Sequence, residues 1–404
     1  MVVENRQSSC NVRITDKAGN PIAGKKVKFT QTNNEFLFGC GGFDALPLFD
    51  NPENELFKER MDAWGEIFNY ATIPFYWGGY EPVEGDIKKD SRMFAAKFLI
   101  DKGAKVKGHP LCWHTVCADW LLKYDNKTIM DKQLERIHRD VTAFKGVVDI
   151  WDVINETVIM PEFDRYDNAI TRICNAYGRD TLIKEVFEAA HAANPDALLL
   201  INDFNLSDSY KEVIERALDS GAPIGAIGLQ THQHQGFRGI EWMQSVIDRF
   251  SPLGLPLHFT ENTLVSGEIM PGHIVDLNDW VVDEWPSTPE GEARQADEYR
   301  QMYECAFNNP CVEAFTGWDF ADGAWLNAPS GIIRKDNSKK PSFEVLKNLV
   351  RNEWNTEVEL QTDENGMVTL KGYRGSYKVE LSDDNKRIDE IVLSKEQKEC
   401  LVSL

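Results

Sequence analysis

The chain has 404 residues, with 65 Asp and Glu against 44 Lys and Arg and a formal charge of −21. That length suits one α/β barrel plus a small module better than three equal domains. The acidity disfavours phosphate backbones and anionic membrane surfaces, so nucleic-acid and membrane partners are not expected, whereas a neutral polymer such as a polysaccharide fits.

From the N-terminus, Met1-Val2-Val3-Glu4-Asn5-Arg6 lacks the apolar core of a signal peptide. No apolar run is long enough to span a bilayer. Residues 9–32 read as two strands around the turn Lys17-Ala18-Gly19-Asn20-Pro21. From about residue 36 to 350, short β-like runs alternate with amphipathic helical patterns. The strands are expected at 36–40, 70–77, 104–113, 147–155, 197–202, 226–232, 257–261 and 312–318. The intervening segments are mostly long enough for a helix, as at 180–193, where Leu182, Val186, Phe187 and Ala190 share one face. Eight β-then-α units predict a (β/α)8 barrel of the α/β class. An open doubly wound sheet is the alternative. The Gly39-Cys40-Gly41-Gly42 cluster has no following Lys-Ser/Thr and is not a phosphate loop.

Residues 356–404 alternate again, at 358–360, 367–370, 377–381 and 388–393, with turns at Asp363-Glu364-Asn365-Gly366 and Asp383-Asp384-Asn385. The N-terminal pair cannot bury a core alone. Both ends are therefore expected to pair into one small β-sandwich, giving segments 1–35, 36–352 (barrel) and 353–404. The eight cysteines are scattered; Cys40 and Cys112 read as buried thiols, and an even count says little about disulfides here.

The chemistry is concentrated at the C-terminal strand ends, the active face of such a barrel. Glu156 closes the apolar run from Val148, and Glu261 closes the run from Leu255. A carboxylate is costly to bury without partners, so one at a strand end faces a cleft. Two that converge can act as general acid and nucleophile. Around them the strand ends offer His109, Trp113, His114, Asn155, Asn202, Asp203, Gln230, His232, Trp318, Asp322 and Trp325. Indole faces stack on sugar C–H faces, and amides and carboxylates take the hydroxyls. Each residue alone has a plainer reading, as helix start, salt bridge or core; Trp151 reads as barrel core. The His232/His234 pair lacks a third ligand, so no metal is expected.

Gly108-His109-Pro110-Leu111-Cys112-Trp113-His114, Trp151-Asp152-Val153-Ile154-Asn155-Glu156, Gly228-Leu229-Gln230-Thr231-His232 and Thr260-Glu261 resemble the motifs of glycoside hydrolase family 10. Trp318-Asp319-Phe320-Ala321-Asp322 and Lys340-Pro341-Ser342-Phe343 fit its last strand and helix. The resemblance covers roughly residues 36–352 and implies a retaining endo-β-1,4-xylanase that needs no cofactor and takes xylan or a related oligosaccharide. The alternatives are a related β-glycosidase on another β-linked glycan and a non-catalytic carbohydrate-binding barrel. The resemblance implies Glu156 as acid/base and Glu261 as nucleophile. It also implies Asn155 on the sugar 2-hydroxyl, Gln230 supporting the acid/base, and His232 orienting Glu261. His109, Trp113, Trp318 and Trp325 would line the sugar site. A polymer substrate implies export or cell-surface location; imported oligosaccharides would allow a cytoplasmic enzyme. The sequence does not give the oligomeric state.

The second strand departs from that family. Where relatives carry a Glu-Asn pair before Met-Lys-Trp, this chain has Ile73, Pro74 and Tyr76 ahead of Trp77, and Val116 replaces a glutamine. The glycone site is thus expected to be remodelled around Tyr76, Trp77 or Tyr80, or else to bind plain xylan more weakly.

Overall fold

The structure, a computed structural model, describes residues 4–382 and 384–404; the side chains of 384–387 fall outside that description. Eight parallel strands close into a barrel: β3 (Leu37–Gly41), β4 (Tyr70–Pro74), β5 (Lys105–His109), β6 (Ile150–Asn155), β7 (Leu198–Asp203), β8 (Ala226–Gln233), β9 (Leu257–Leu264) and β10 (Val312–Gly317), with β10 returning to β3. The β/α alternation read from the sequence is therefore a closed barrel and not an open sheet. Helices including Asn126–Phe144, Arg179–Ala193 and Pro289–Asn308 connect the strands. Their apolar faces and the outward strand residues form the main core, with Leu182, Val186, Phe187 and Ala190 all buried in it. At the floor, Leu37, Tyr70, Ile150, Leu200 and Ala226 plug the barrel.

Close packing decides some strand residues. A methyl on Gly108 of β5 would overlap the ring of Trp151 on the adjacent strand β6, so this glycine makes room for the indole. Trp151 is fully buried among core residues, as its sequence context implies. The second barrel strand is shorter than expected. It ends at Pro74; the N–H of Phe75 makes the last bond to β5, to the His109 carbonyl, and Trp77–Tyr80 then forms a helical turn.

The chain ends do pair. β1 (Gln7–Thr15) lies between β12 (Met367–Tyr373) and β15 (Glu399–Ser403); β2 (Lys26–Asn34) lies between β11 (Glu357–Gln361) and β13 (Gly375–Leu381), with β14 (Asp384–Leu393) outside β13. Val12, Ile14, Val27, Phe29, Leu370, Tyr377 and Val379 form the core between the two sheets. The turn at Gly366, with φ +74°, is closed by Asp363, whose Oδ1 accepts from the N–H groups of Asn365 and Met367. Of the turn expected at Asp383-Asp384-Asn385, Asp383 lies outside the described residues. The sequence pattern did not reveal β15, a five-residue edge strand that pairs in parallel with β1. Arg6 ties the module to the barrel: its guanidinium donates to the carbonyls of Phe307, Asn309 and Val312 at 2.8, 2.7 and 2.5 Å. Among the described residues no helix is long and apolar enough to cross a membrane.

Candidate active site

Glu156 follows the last residue of β6 in a left-handed conformation, φ +56°, which costs a non-glycine residue roughly 1–2 kcal/mol. The strain is held by pairing: the N–H of Glu156 donates to the Asn202 carbonyl at 2.8 Å, and that of Asn155 to Cys112 at 2.9 Å. The turn directs the carboxyl to Trp113, whose Nε1 donates to it at 2.9 Å, and towards His114 Nε2 at 3.7 Å. Glu261 lies within β9, nearly buried, and is gripped from two sides. His232 Nε2 stands 3.2 Å from Oε2, and Asn202 Nδ2 donates to Oε1 at 2.7 Å. With Glu261 ionised, His232 donates from Nε2, and its Nδ1 lies 3.2 Å from the Thr263 hydroxyl.

Asn202, on β7, one of the two strands between those that carry the carboxylates, is the hub. Its amide also donates to Asn155 Oδ1 at 2.8 Å, and its own oxygen accepts from Thr260 at 2.6 Å. Gln230 donates to the same Asn155 oxygen at 2.9 Å. The Asn155 NH2 has no protein partner among the described residues, so it can serve a sugar hydroxyl. Space for the hub comes from Gly228, where a side chain would collide with the Asn202 amide.

A second buried chain lies behind Glu261. Asp152 Oδ2 is 2.6 Å from Lys107 Nζ and 2.7 Å from His109 Nδ1, and His109 Nε2 is 3.9 Å from Glu261. The lysine and Asp152 are both fully enclosed by the barrel. An unpaired charge there would be costly, so the pair is obligatory.

These surroundings push the two carboxyls in opposite directions. Burial raises Glu156 to about 8, and the negative charges of Asp203 and Glu261 add to the rise against hydrogen bonds from Trp113 and Gln230. Burial also acts to raise Glu261, but His109, His232 and Lys107 outweigh it and hold Glu261 below the ordinary carboxylate value. Asp203 is itself raised to about 6 by burial, against N–H donors from Asn205 and Val158. One carboxyl is thus kept protonated near neutrality while its neighbour is kept ionised.

The aromatic residues divide. Trp318 packs edge-on against His109 and His232, with centroids 5.3 and 6.0 Å apart, and Trp325 lies 4.6 Å from His232. Tyr76 lies 5.7 Å from His109 and 5.6 Å from Trp113, and its hydroxyl has no protein partner among the described residues. Trp77 does not join them. It is buried between Arg136 and Trp120, with Nε1 donating to Glu81 at 3.1 Å, so it packs behind the site and offers no sugar platform. Tyr80 is likewise buried, and Ile73 belongs to the core. The sequence reading gave no role to Lys107, Asp152 or Asn202. A charged residue inside an apolar run, such as Asp152 between Trp151 and Val153, was the available signal for the first two.

Comparison with known proteins shows the family and the fold. The sequence profile described as Glycosyl hydrolase family 10 matches residues 75–349. An endo-1,4-beta-xylanase/feruloyl esterase of Xylanibacter ruminicola is 26% identical over 70% of this chain and 42% of its own length. The anti-sigma-I factor RsgI6 of Acetivibrio thermocellus is 23% identical over 93% of this chain and 45% of its own length. The chain thus spans less than half of each of these two relatives. The solved structure of a family 10 protein from Paenibacillus barcinonensis has the same fold, with a TM-score of 0.65 and 23% identity over 78% of this chain and 95% of that one.

Proposed function

Because the chain belongs to glycosyl hydrolase family 10, we propose that it is a retaining endo-β-1,4-xylanase acting by double displacement. Glu261 attacks the anomeric carbon while Glu156 protonates the departing glycosidic oxygen, leaving a glycosyl-enzyme ester on Glu261. Esterification removes the charge of Glu261, one of the groups that raise Glu156. Glu156 then becomes the more acidic group just when it must deprotonate the attacking water. Water releases the sugar with its configuration retained. The observation that carries this reading is the pair of carboxyls on strand ends linked through Asn202, with Glu156 held by the Trp113 indole and Glu261 gripped by His232 and Asn202.

In this mechanism Asn202 and His232 are positioning residues for the nucleophile. The free NH2 of Asn155 holds the sugar 2-hydroxyl, a contact that strengthens towards the oxocarbenium-like transition state. Gln230 steadies Asn155 and Glu156. Trp113, Trp318, Trp325 and His109 wall the sugar that becomes esterified. A polymeric substrate would be met outside the cell or at its surface; imported oligosaccharides would be met inside. A polysaccharide panel with product identification tests the proposal. Xylan cleavage with retained anomeric configuration is expected, and a product of inverted configuration would rule it out.

Tyr76 favours a second reading of substrate choice. Its unpartnered hydroxyl between His109 and Trp113, together with the apolar Ile73, Pro74 and Val116, suits a decorated xylan or a related β-linked oligosaccharide. Comparing rates on plain and substituted xylan tests it; a strict preference for plain xylan removes it.

A further inference from the structure

Two loops at the active face of the barrel are joined by ion pairs. The loop after β6, which begins at Glu156, reaches the segment between β9 and the helix Pro289–Asn308, and Arg165 forms the contact. Its guanidinium pairs with Asp276 and, at 2.6 Å, with Asp279. Both ends of the bridge are anchored beside the carboxylates. Phe163, two residues before Arg165, packs 4.3 Å from the His114 ring, and His114 in turn is 3.7 Å from the Glu156 carboxyl. On the other side, residues 265–288 form a small lobe around Val265, Met270 and Trp285, with Leu277 and Trp280 against it. The N–H of Met270 donates to the carbonyl of His234, two residues beyond His232, which holds Glu261.

In barrel order the bridge spans the arc from β6 through β7 and β8 to β9. Tyr76, His109, Trp113 and Trp318 lie on the opposite arc, and His109 faces Glu261. A sugar bonded to Glu261 and walled by these residues occupies the open arc, which leaves the departing group the side of Glu156, where the bridge stands. We propose that the bridge of Arg165 with Asp276 and Asp279 narrows the leaving-group side, so that this endo-acting enzyme holds few sugars there and cuts short xylo-oligosaccharides close to their reducing ends. This rests on the retaining xylanase reading above. The bridging groups are substantially exposed, so salt weakens their attraction and the limit relaxes.

Xylohexaose carrying a heavy isotope at its reducing end reads the bond choice directly, because the label marks the leaving group and the distribution is independent of total activity. For the unaltered protein at low salt, the label is expected mainly in xylose and xylobiose. Arg165→Ala is expected to raise the share of label in xylotriose and longer products by roughly three- to fivefold. The same shift is expected for the unaltered protein at about 1 M sodium chloride, where charges are screened within about 3 Å, and no further shift for Arg165→Ala. Asp276→Asn combined with Asp279→Asn should reproduce the arginine variant. A distribution unchanged by either variant or by salt, or label already in long products from the unaltered protein, would overturn the bridge. An aryl β-xylobioside separates the two failures: no turnover of it by the unaltered protein removes the xylanase reading itself.

Discussion

The division of labour between Glu156 and Glu261 comes from their neighbours, because both are glutamates enclosed by the same barrel. Glu261 is faced by His109, His232 and Lys107, whereas Glu156 is faced by Asp203 and by Glu261 itself. Glu156→Ala should cut kcat/KM on xylan by roughly 10²- to 10⁴-fold, the usual worth of a general acid, while still forming the glycosyl-enzyme on aryl glycosides with good leaving groups. Glu261→Ala should lose both activities. Equal losses in Glu156→Ala on the two substrate types would remove the acid assignment. The pH profile follows from the same neighbours. Glu156 must carry its proton, so kcat/KM should fall as pH rises through about 8, while the acid limb set by Glu261 should lie below the ordinary carboxylate range. The shift also bears on stability. A carboxyl whose folded pKa is raised favours folding only while protonated, so its contribution is complete below the unfolded value near 4.5 and is lost as pH rises through about 8. Glu156→Gln should match the parent's stability at about pH 4 and exceed it by on the order of 5 kcal/mol at about pH 9, as followed by denaturant unfolding.

At the scale of elements, the barrel was legible because each strand is a short apolar run followed by a helix with a one-sided apolar face. The strand ends were legible because polar residues stop those runs. Trp77 was misread because the apolar pattern runs on through Pro74 and Phe75, whereas the backbone turns into a helical turn at Trp77–Tyr80 that points the indole behind the site. The role of Asn202 was not legible, since it depends on β7 lying between the strands that carry the two carboxylates. The lobe at 265–288 has neither helix nor strand periodicity and emerges only from its local cluster around Trp285. Packing within the elements makes its own prediction. Gly108→Ala forces Trp151 out of its place between β5 and β6, and overpacking of this kind costs about 1–3 kcal/mol. Thermal unfolding should show that loss, and a midpoint equal to the parent's would show that the indole can move freely.

Across the whole molecule, residues from both sides of the barrel sequence form one sandwich, with β1 and β2 paired to strands that follow the barrel in the chain. Arg6 is the buried fastener between the two parts. Removing it by Arg6→Ala strips three carbonyls of a charged donor, each bond of this type being worth about 1.5–3 kcal/mol. Calorimetry should show a lower and broader transition with KM for short xylo-oligosaccharides unchanged; a change in KM without loss of stability would place Arg6 in substrate binding instead. The central claim, however, concerns one covalent bond at the opposite end of the barrel. It is tested most directly by incubating the protein with an activated 2-deoxy-2-fluoro-β-xylobioside and locating the adduct by mass spectrometry of its peptides. The expected result is one disaccharide esterified to Glu261. An adduct on another residue, or turnover of the reagent with inverted configuration and no adduct, would contradict it.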